Sequence, residues 1–357
     1  MLKSLEKFTG EMKNYASKSG REILYAYTNG NYHVCIMNDG TRIRETIDSK
    51  DTGFRSAFAL NCDVKITNHC TAGCPFCHEG SSREGKHADL NLPIFDTWKP
   101  GTEIAIGGGN VLDHPDLIPF LEKLKKQNVV ANITVNQKAV FEQFELLTQL
   151  IAKDLVKGVG ISITDPSNKD HMKAVNQVYA LEYALEYLRG KEDLVCHVIA
   201  GIFNESFVPV IEDRKVLFLG YKDNVGRGVG FNKEHHDEID KNIEWLASNL
   251  ETLRNVAAVM SFDNLALAQL DARKNLKVSE DEWRLRFQGK DYGDPNGDDA
   301  PSTFYFDAVN QTIGRSSTQP YNERIKYTNQ TFEEAFKASL SNYKVNEGEY
   351  GELNYKD

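Results

Sequence analysis

Cys70, Cys74 and Cys77 fall within eight residues, spaced C-x3-C-x2-C, and are three of the six cysteines in a chain of 357 residues. Thiolates at this spacing on one short loop can converge on a single metal centre, and soft sulfur ligands select zinc, Cu(I) or an iron–sulfur cluster. A closed zinc site takes four ligands. Three cysteines are one short, and no Cys or His pair at finger spacing follows. A 4Fe–4S cluster held by three cysteines would keep one iron open to another molecule. The plain alternative is a structural zinc loop or three buried thiols. Cys35, Cys62 and Cys196 are scattered and read as small buried hydrophobes.

With Phe76 directly before the last cysteine, the stretch resembles the radical S-adenosylmethionine (radical SAM) superfamily, whose hallmark is C-x3-C-x-Φ-C. Cys70, Cys74, Phe76 and Cys77 match it position by position. The resemblance implies a 4Fe–4S cluster on the three thiolates, its open iron chelating the amino and carboxylate groups of S-adenosylmethionine (SAM). It implies one-electron cleavage of SAM to methionine and a 5′-deoxyadenosyl radical, which takes a hydrogen atom from a peptide, nucleoside or small metabolite. An electron donor such as flavodoxin or ferredoxin is implied as partner. The alternatives are a non-catalytic iron–sulfur or metal-binding regulator on the same scaffold, or a glycyl-radical-type activating enzyme. No cysteine lies beyond Cys196, which weighs against the auxiliary clusters that many peptide-modifying relatives carry.

Further SAM contacts follow from the same resemblance. Gly107-Gly108-Gly109-Asn110 looks like the Gly-Gly-Glu motif, with Gly108 and Gly109 in the glycine places and Asn110 in that of the glutamate. Glycines let the backbone approach the methionine moiety. Asn110 can accept from its ammonium through a carbonyl oxygen, without the strength that charge adds. Ile199 and Gly201 match the G-x-I-x-G-x-x-E stretch, from which His197 and Asn204 depart. Asn136 on the third strand, and Ser162 and Thr164 sharing a face on the fourth, are candidates for the ribose hydroxyls and the carboxylate. Strand parity puts His197 on the inner face with Ile199 and turns Cys196 outward to the helices. A histidine low on an inner face is more often a satisfied core residue than a proton donor; His197 is carried as a catalytic candidate. Lys222 and Arg227, just past the sixth strand among four glycines, are the candidate substrate contacts. His235 and His236 are adjacent on a helix and read as surface.

The elements that must position these residues alternate strand and helix. The expected strands are 63–68, 102–106, 129–135, 158–163, 194–200 and 215–219, and six strands alternating with helices imply parallel pairing. The fold class expected is α/β, a partial (β/α)6 barrel of radical SAM type with an N-terminal β-hairpin extension and a C-terminal α+β extension. Expected helices include one near Leu92–Trp98 and one after Asp113, which caps it. Others carry Phe141, Phe144, Leu147 and Ile151 on one face, or Val178, Leu181, Leu185 and Leu188 before Gly190, and a long one spans Glu234–Arg254. Before the core, Asn29-Gly30 and Asp39-Gly40 mark two hairpins. After it come a strand at 256–262, a capping box Ser279-x-x-Glu282, a hairpin over 303–317 and a tail expected to be disordered or draped. Counted from Asp294 in the acidic loop 289–302, position six is Asp299 and position twelve is Tyr305 where a calcium loop has Gly and Glu, which argues against calcium.

The expected domains are 1–57, an arm and hairpins; 58–255, the core; and 256–357, an extension. The two flanks are expected to act as lids. With 40% hydrophobic and 26% charged residues, the composition is that of a globular protein. A net charge of −10 argues against broad sequence-independent nucleic-acid binding. No apolar run approaches the length of a membrane span, and the first residues lack a signal-peptide core, so a cytoplasmic, reducing location is the expectation.

Overall fold

The structure is a computed structural model that describes residues 2–38, 40–51, 53–189, 194–286 and 301–341. Helix α1 (Leu5–Ser19) opens on Ser4, whose hydroxyl accepts the Lys7 N–H at 3.2 Å, and closes on left-handed Gly20. Strands β1 (Ile23–Asn29), β2 (Tyr32–Met37) and β3 (Arg42–Thr46) form an antiparallel sheet of their own, as the hairpin signals imply.

The main sheet is built from β4 (Asn61–Thr67), β5 (Glu103–Gly108), β6 (Val130–Asn136), β7 (Gly158–Ser162), β8 (Leu194–Ile199), β9 (Lys215–Leu219), β10 (Val259–Phe262), β11 (Thr303–Asp307), β12 (Thr312–Gly314) and β13 (Ile325–Lys326). Its order is β10-β9-β8-β7-β6-β5-β4-β11-β12-β13. Pairing is parallel from β10 through β11. Between the strands run α2 (Leu117–Lys126), α3 (Gln137–Glu142), α4 (Phe144–Ala152), α5 (Lys169–Arg189), α6 (Val208–Ile211) and α7 (Gly228–Arg254). The six expected strands are all present. The structure adds one parallel strand at each edge, β10 and β11, both from the stretch 256–357.

Side-chain alternation gives this sheet two different faces. Cys62, Val64, Ile66, Ile104, Ile106, Ala131, Ile133, Val135, Val159, Ile161, Cys196, Val198, Val216 and Phe218 are buried in one core with the helices. The opposite parity carries Asp63, Lys65, Asn132, Thr134, Asn136, Ser162 and His197, most of them half-buried. The sheet curls around this polar face. Lys222, just past β9, donates from Nζ to Ser317 Oγ, just past β12, at 2.9 Å. In a flat sheet those two strands, seven places apart, would be roughly 34 Å from each other. The terminal strands β10 and β13 do not pair, so the barrel is partial.

Several local expectations change. Residues 92–98 make only a 3-10 turn, Pro93–Asp96, entered through proline. Asp113 caps no helix. It lies in a 3-10 turn, and its carboxylate accepts from Gln143 Nε2 at 2.6 Å and meets His69 Nδ1 at 3.0 Å. The helix expected across 141–151 breaks at Gln143, which leaves helical dihedrals and changes the phase; Phe141 is therefore exposed while Leu147 and Ile151 are buried. Helix α7 begins six residues earlier than expected and kinks at His235, while Ile239, Leu246, Leu250 and Leu253 are buried as expected. The Glu282 N–H donates to Ser279 Oγ, but the Glu282 carboxylate pairs with Arg254. The N-terminal sheet cannot be a lid over the cysteine loop. Arg42 of β3 bonds Asn61 at 2.8 Å and Glu103 at 3.0 Å, the first residues of β4 and β5, whereas the cysteines follow the last residue of β4. Gly190, the side chains of Leu185 and Leu188, most of the acidic loop and the tail lie outside the described residues.

Strand β11 buries Phe304 and Phe306 and pairs in register with β4. Phe306→Ala is expected to cost about 3–5 kcal/mol in urea unfolding; a loss under about 1 kcal/mol, close to that of a surface substitution, would show that β11 is peripheral to the fold.

Candidate active site

The cysteine loop leaves β4 at Thr67 and is fastened by its own backbone. Cys70 N–H donates to Ser82 O at 2.8 Å, Asn68 N–H to Lys86 O at 2.8 Å, and Cys77 N–H to Cys74 O at 3.2 Å. The three thiols are free and half-buried. Burial pushes the Cys70 and Cys74 thiols up. For Cys70 the Ala72 N–H, 3.4 Å from its sulfur, works the other way, and neighbouring cysteines raise both.

The loop after β5 presses directly on this loop. Gly109 N–H donates to Thr67 O and Asn110 N–H to His69 O, each at 2.7 Å. A Cβ on Gly108 would lie 2.3 Å from Thr67 O, and one on Gly109 would lie 2.1 Å from His69 O. Both positions therefore demand glycine for backbone packing, whatever else approaches them. The Asn110 side chain is tied locally: Oδ1 accepts from Leu112 N–H at 3.3 Å, and Nδ2 reaches Gln143 Oε1 at 3.5 Å. Asn204 is likewise a turn cap, accepting from Ser206 N–H at 3.0 Å and Ser206 Oγ at 2.7 Å.

Asn136, Thr164 and Cys74 are brought together. Asn136 Nδ2 lies 3.3 Å from Thr164 Oγ1 and 3.8 Å from Cys74 Sγ. Asn136, Ser162 and His197 occupy one row across β6, β7 and β8. Ile199 ends β8, half-buried, on the same parity. Gly201 is buried where a Cβ would lie 2.7 Å from Ile239, and its carbonyl accepts from Asn242 Nδ2. Phe76 packs edge-on to Phe231 with centroids 5.7 Å apart.

His197 is on the inner face, over Gly160, where a Cβ would lie 2.1 Å from its Cε1. Glycine thus makes room for the ring. Its Nδ1 is buried without a hydrogen-bond partner, so the satisfied core histidine expected from parity is instead an unsatisfied one. Burial pushes this imidazole down to about 4. Arg227, expected at a substrate, is engaged with the cysteine loop: Nε donates to Cys74 O at 3.0 Å, Nη1 to Ser81 O at 2.7 Å, and its N–H to Cys77 O at 2.9 Å. Among the described residues, the Lys222 ammonium bonds only Ser317 Oγ. His235 and His236 are at the surface.

Sequence reasoning missed the ionic cluster beside the loop. Lys65 Nζ, on the inner face of β4, meets Glu79 at 2.7 Å and Asp307 at 3.4 Å. Arg324 meets Asp307 at 3.6 Å, and His78 meets Glu79 at 3.3 Å. Burial pushes the Glu79 carboxyl up, but the His78 bond and the Lys65 ammonium outweigh it and hold it well below the usual carboxylate range. The signal was a lysine at an inward position of a strand and a glutamate two residues past the last cysteine. Gln137 was also missed: buried at the start of α3, its Oε1 accepts from Thr164 N–H at 2.7 Å and Asp165 N–H at 3.0 Å, fixing the end of β7.

Among the described residues no group of three or more His, Cys, Asp or Glu side chains converges closely enough to hold one metal ion. A single zinc would need every sulfur about 2.3 Å from one point. The three half-buried thiols share one loop, the arrangement on which the proposed function rests.

No protein-family model and no curated protein matches the chain. Among solved structures, Streptococcus suis SuiB bound to S-adenosylmethionine is similar at 13% identity and a TM-score of 0.44, covering 72% of this chain and 60% of that one. SuiB bound to the precursor peptide SuiA is similar at 12% identity and a TM-score of 0.45, covering 74% and 60%. The chain thus spans about 60% of the length of SuiB. No helix among the described residues is long and apolar enough to cross a membrane.

Two outcomes are expected. Arg227→Ala frees the loop carbonyls, so alkylation of Cys74 and Cys77 in the metal-free chain accelerates about tenfold, the weight of one charge-assisted bond; Arg227→Lys restores part of the protection, and an unchanged rate would show that the guanidinium holds nothing. The second concerns pH. Because the folded His197 imidazole is pushed down to about 4 from an ordinary 6.5, the unfolded chain binds its proton more readily. Stability is complete above the unfolded value and falls as pH drops toward the folded one. Urea unfolding should therefore lose about 2 kcal/mol more between pH 7 and pH 5 in the wild type than in His197→Gln; equal losses would contradict the assignment.

Proposed function

We propose that the protein is a radical SAM enzyme: Cys70, Cys74 and Cys77 hold a 4Fe–4S cluster, and SAM binds beside it on the polar inner face. The observation that carries this reading is the position of the three thiols, on one loop past the carboxyl end of β4, where parallel α/β sheets bind ligands. When bound, the cluster would supply the electron that cleaves SAM. The chain's own residues orient and enclose. Under this reading Gly108 and Gly109 bring the β5 loop against the cysteine loop, Asn136 and Thr164 offer amide and hydroxyl groups beside Cys74, and Ser162 adds a hydroxyl next to Asn136 on the neighbouring strand. Ile199 and Gly201 would flank the adenine. Arg227 is a positioning residue for the loop, and Lys222 and His197 are the groups left for a substrate. The core of 58–255 carries the site, 256–357 extends its sheet at both edges, and the reductant would be a flavodoxin- or ferredoxin-type donor in a reducing cytoplasm.

One observation favours a second reading, a cluster-binding regulator without catalysis. Asn110, which stands where a glutamate would accept from SAM, and Asn204, the second Glu-to-Asn departure, both use their side-chain oxygens on neighbouring N–H groups. The decisive measurement is 5′-deoxyadenosine release by the anaerobically reconstituted chain with SAM and dithionite, beside Cys74→Ala. Release by the wild type alone is expected. A fully loaded cluster with neither release nor SAM binding would establish the regulator.

A further inference from the structure

We propose that the substrate of this site carries an oxyanion, a carboxylate or phosphate, and that it lands on Lys222 beside Ser317. This deepens the reading above and rests on it for the word substrate alone. Among the described residues, the ion pairs on the β4 side of the interior leave Lys222 out. Lys65 and Arg324 share the two buried carboxylates, Glu79 and Asp307. Arg227 has its guanidinium on the cysteine loop, where thiolates would answer its charge.

Lys222 is left. Its ammonium is half-buried, and among the described residues its partner is a neutral hydroxyl, Ser317 Oγ at 2.9 Å, with no carboxylate in ion-pair reach. The Ser317 bond uses one of three donors, so two remain for a ligand. A half-buried ammonium without a counter-ion attracts an anion more strongly than an exposed one, because less water screens it. The position is also right for a substrate. Lys222 follows the carboxyl end of β9, Ser317 follows β12, and the two meet across the mouth of the curled sheet.

The test uses the metal-free full chain, so its outcome is independent of whether a cluster forms. Lysine acylation is followed residue by residue by mass spectrometry in chloride, inorganic phosphate or succinate at one ionic strength. Lys222 labelling should slow about tenfold as either anion approaches saturation, while exposed Lys50 is unaffected. Protection by phosphate alone assigns a phosphate-bearing substrate, and protection by succinate alone a carboxylate-bearing one. In parallel, phosphate should raise the thermal midpoint over chloride in the wild type and in Lys222→Arg but lose that increment in Lys222→Gln. Equal labelling of Lys222 in all three salts, or a full increment in Lys222→Gln, overturns the proposal. In the reconstituted chain, protection of Lys222 by SAM without reductant would assign the anion to SAM itself and overturn the substrate assignment.

Discussion

Lys65 is the constraint on which the site side of this fold depends. Its ammonium lies inside the curled sheet with almost no exposure, and an unpaired charge there would cost several kcal/mol. Two carboxylates from distant parts of the chain answer it: Glu79 at the return of the cysteine loop, and Asp307 at the end of β11. The pairing therefore fixes the loop's exit and, through the Asp307–Lys65 register, holds β11 alongside β4. Tyr305, one side-chain repeat earlier on β11, is buried beside the same pair, under Arg324 at 4.8 Å. Because these charges fill the interior next to β4, the row running from Asn136 through Ser162 to His197 remains as the more open, neutral part of the inner face.

Around that anchor the backbone is packed closely enough to require glycine at particular places. A Cβ at residue 226 would stand 2.2 Å from His78 O, and one at residue 228 would stand 2.3 Å from Lys222 O. With Gly108 and Gly109 opposite, the cysteine loop is gripped from both sides by segments without side chains at the contact. Arg227 lies between the first two of these glycines. Its planar fork suits two carbonyls at once, which a single ammonium could not match. The course of the loop is thus set by carbonyl, amide and guanidinium contacts.

Much of the scaffold was legible in the sequence because its signals are local. Alternating strands, helical periodicity and Asn-Gly turns each arise within a few residues, and the spacing of Cys70, Cys74 and Cys77 lies within one loop. What was not legible depends on pairing across the chain. Nothing within 303–307 says that the strand joins β4 in parallel rather than forming a free hairpin. Nothing near Arg42 says that the N-terminal sheet meets the first residues of β4 and β5, the end opposite the cysteines. Arg227 read as a substrate contact because it is charged and follows a barrel strand; that its fork would meet Cys74 and Ser81 follows only from the curl of the sheet. The Asp113 cap failed for a related reason, since His69 and Gln143 compete for the same carboxylate.

The distribution of charge also has a consequence for approach to the site. The chain as a whole is at −10, yet among the described residues Lys222 at the mouth of the sheet has no carboxylate in ion-pair reach, while Lys65 and Arg324 are answered by Glu79 and Asp307. Beyond a Debye length of about 8 Å at physiological salt, the negative surface is screened. Inside that distance the Lys222 ammonium acts directly, and the lower dielectric strengthens its pull. An anion therefore gains little from long-range steering and is held by short-range contact, so its affinity is set by the geometry of Lys222 and Ser317 more than by the net charge of the protein.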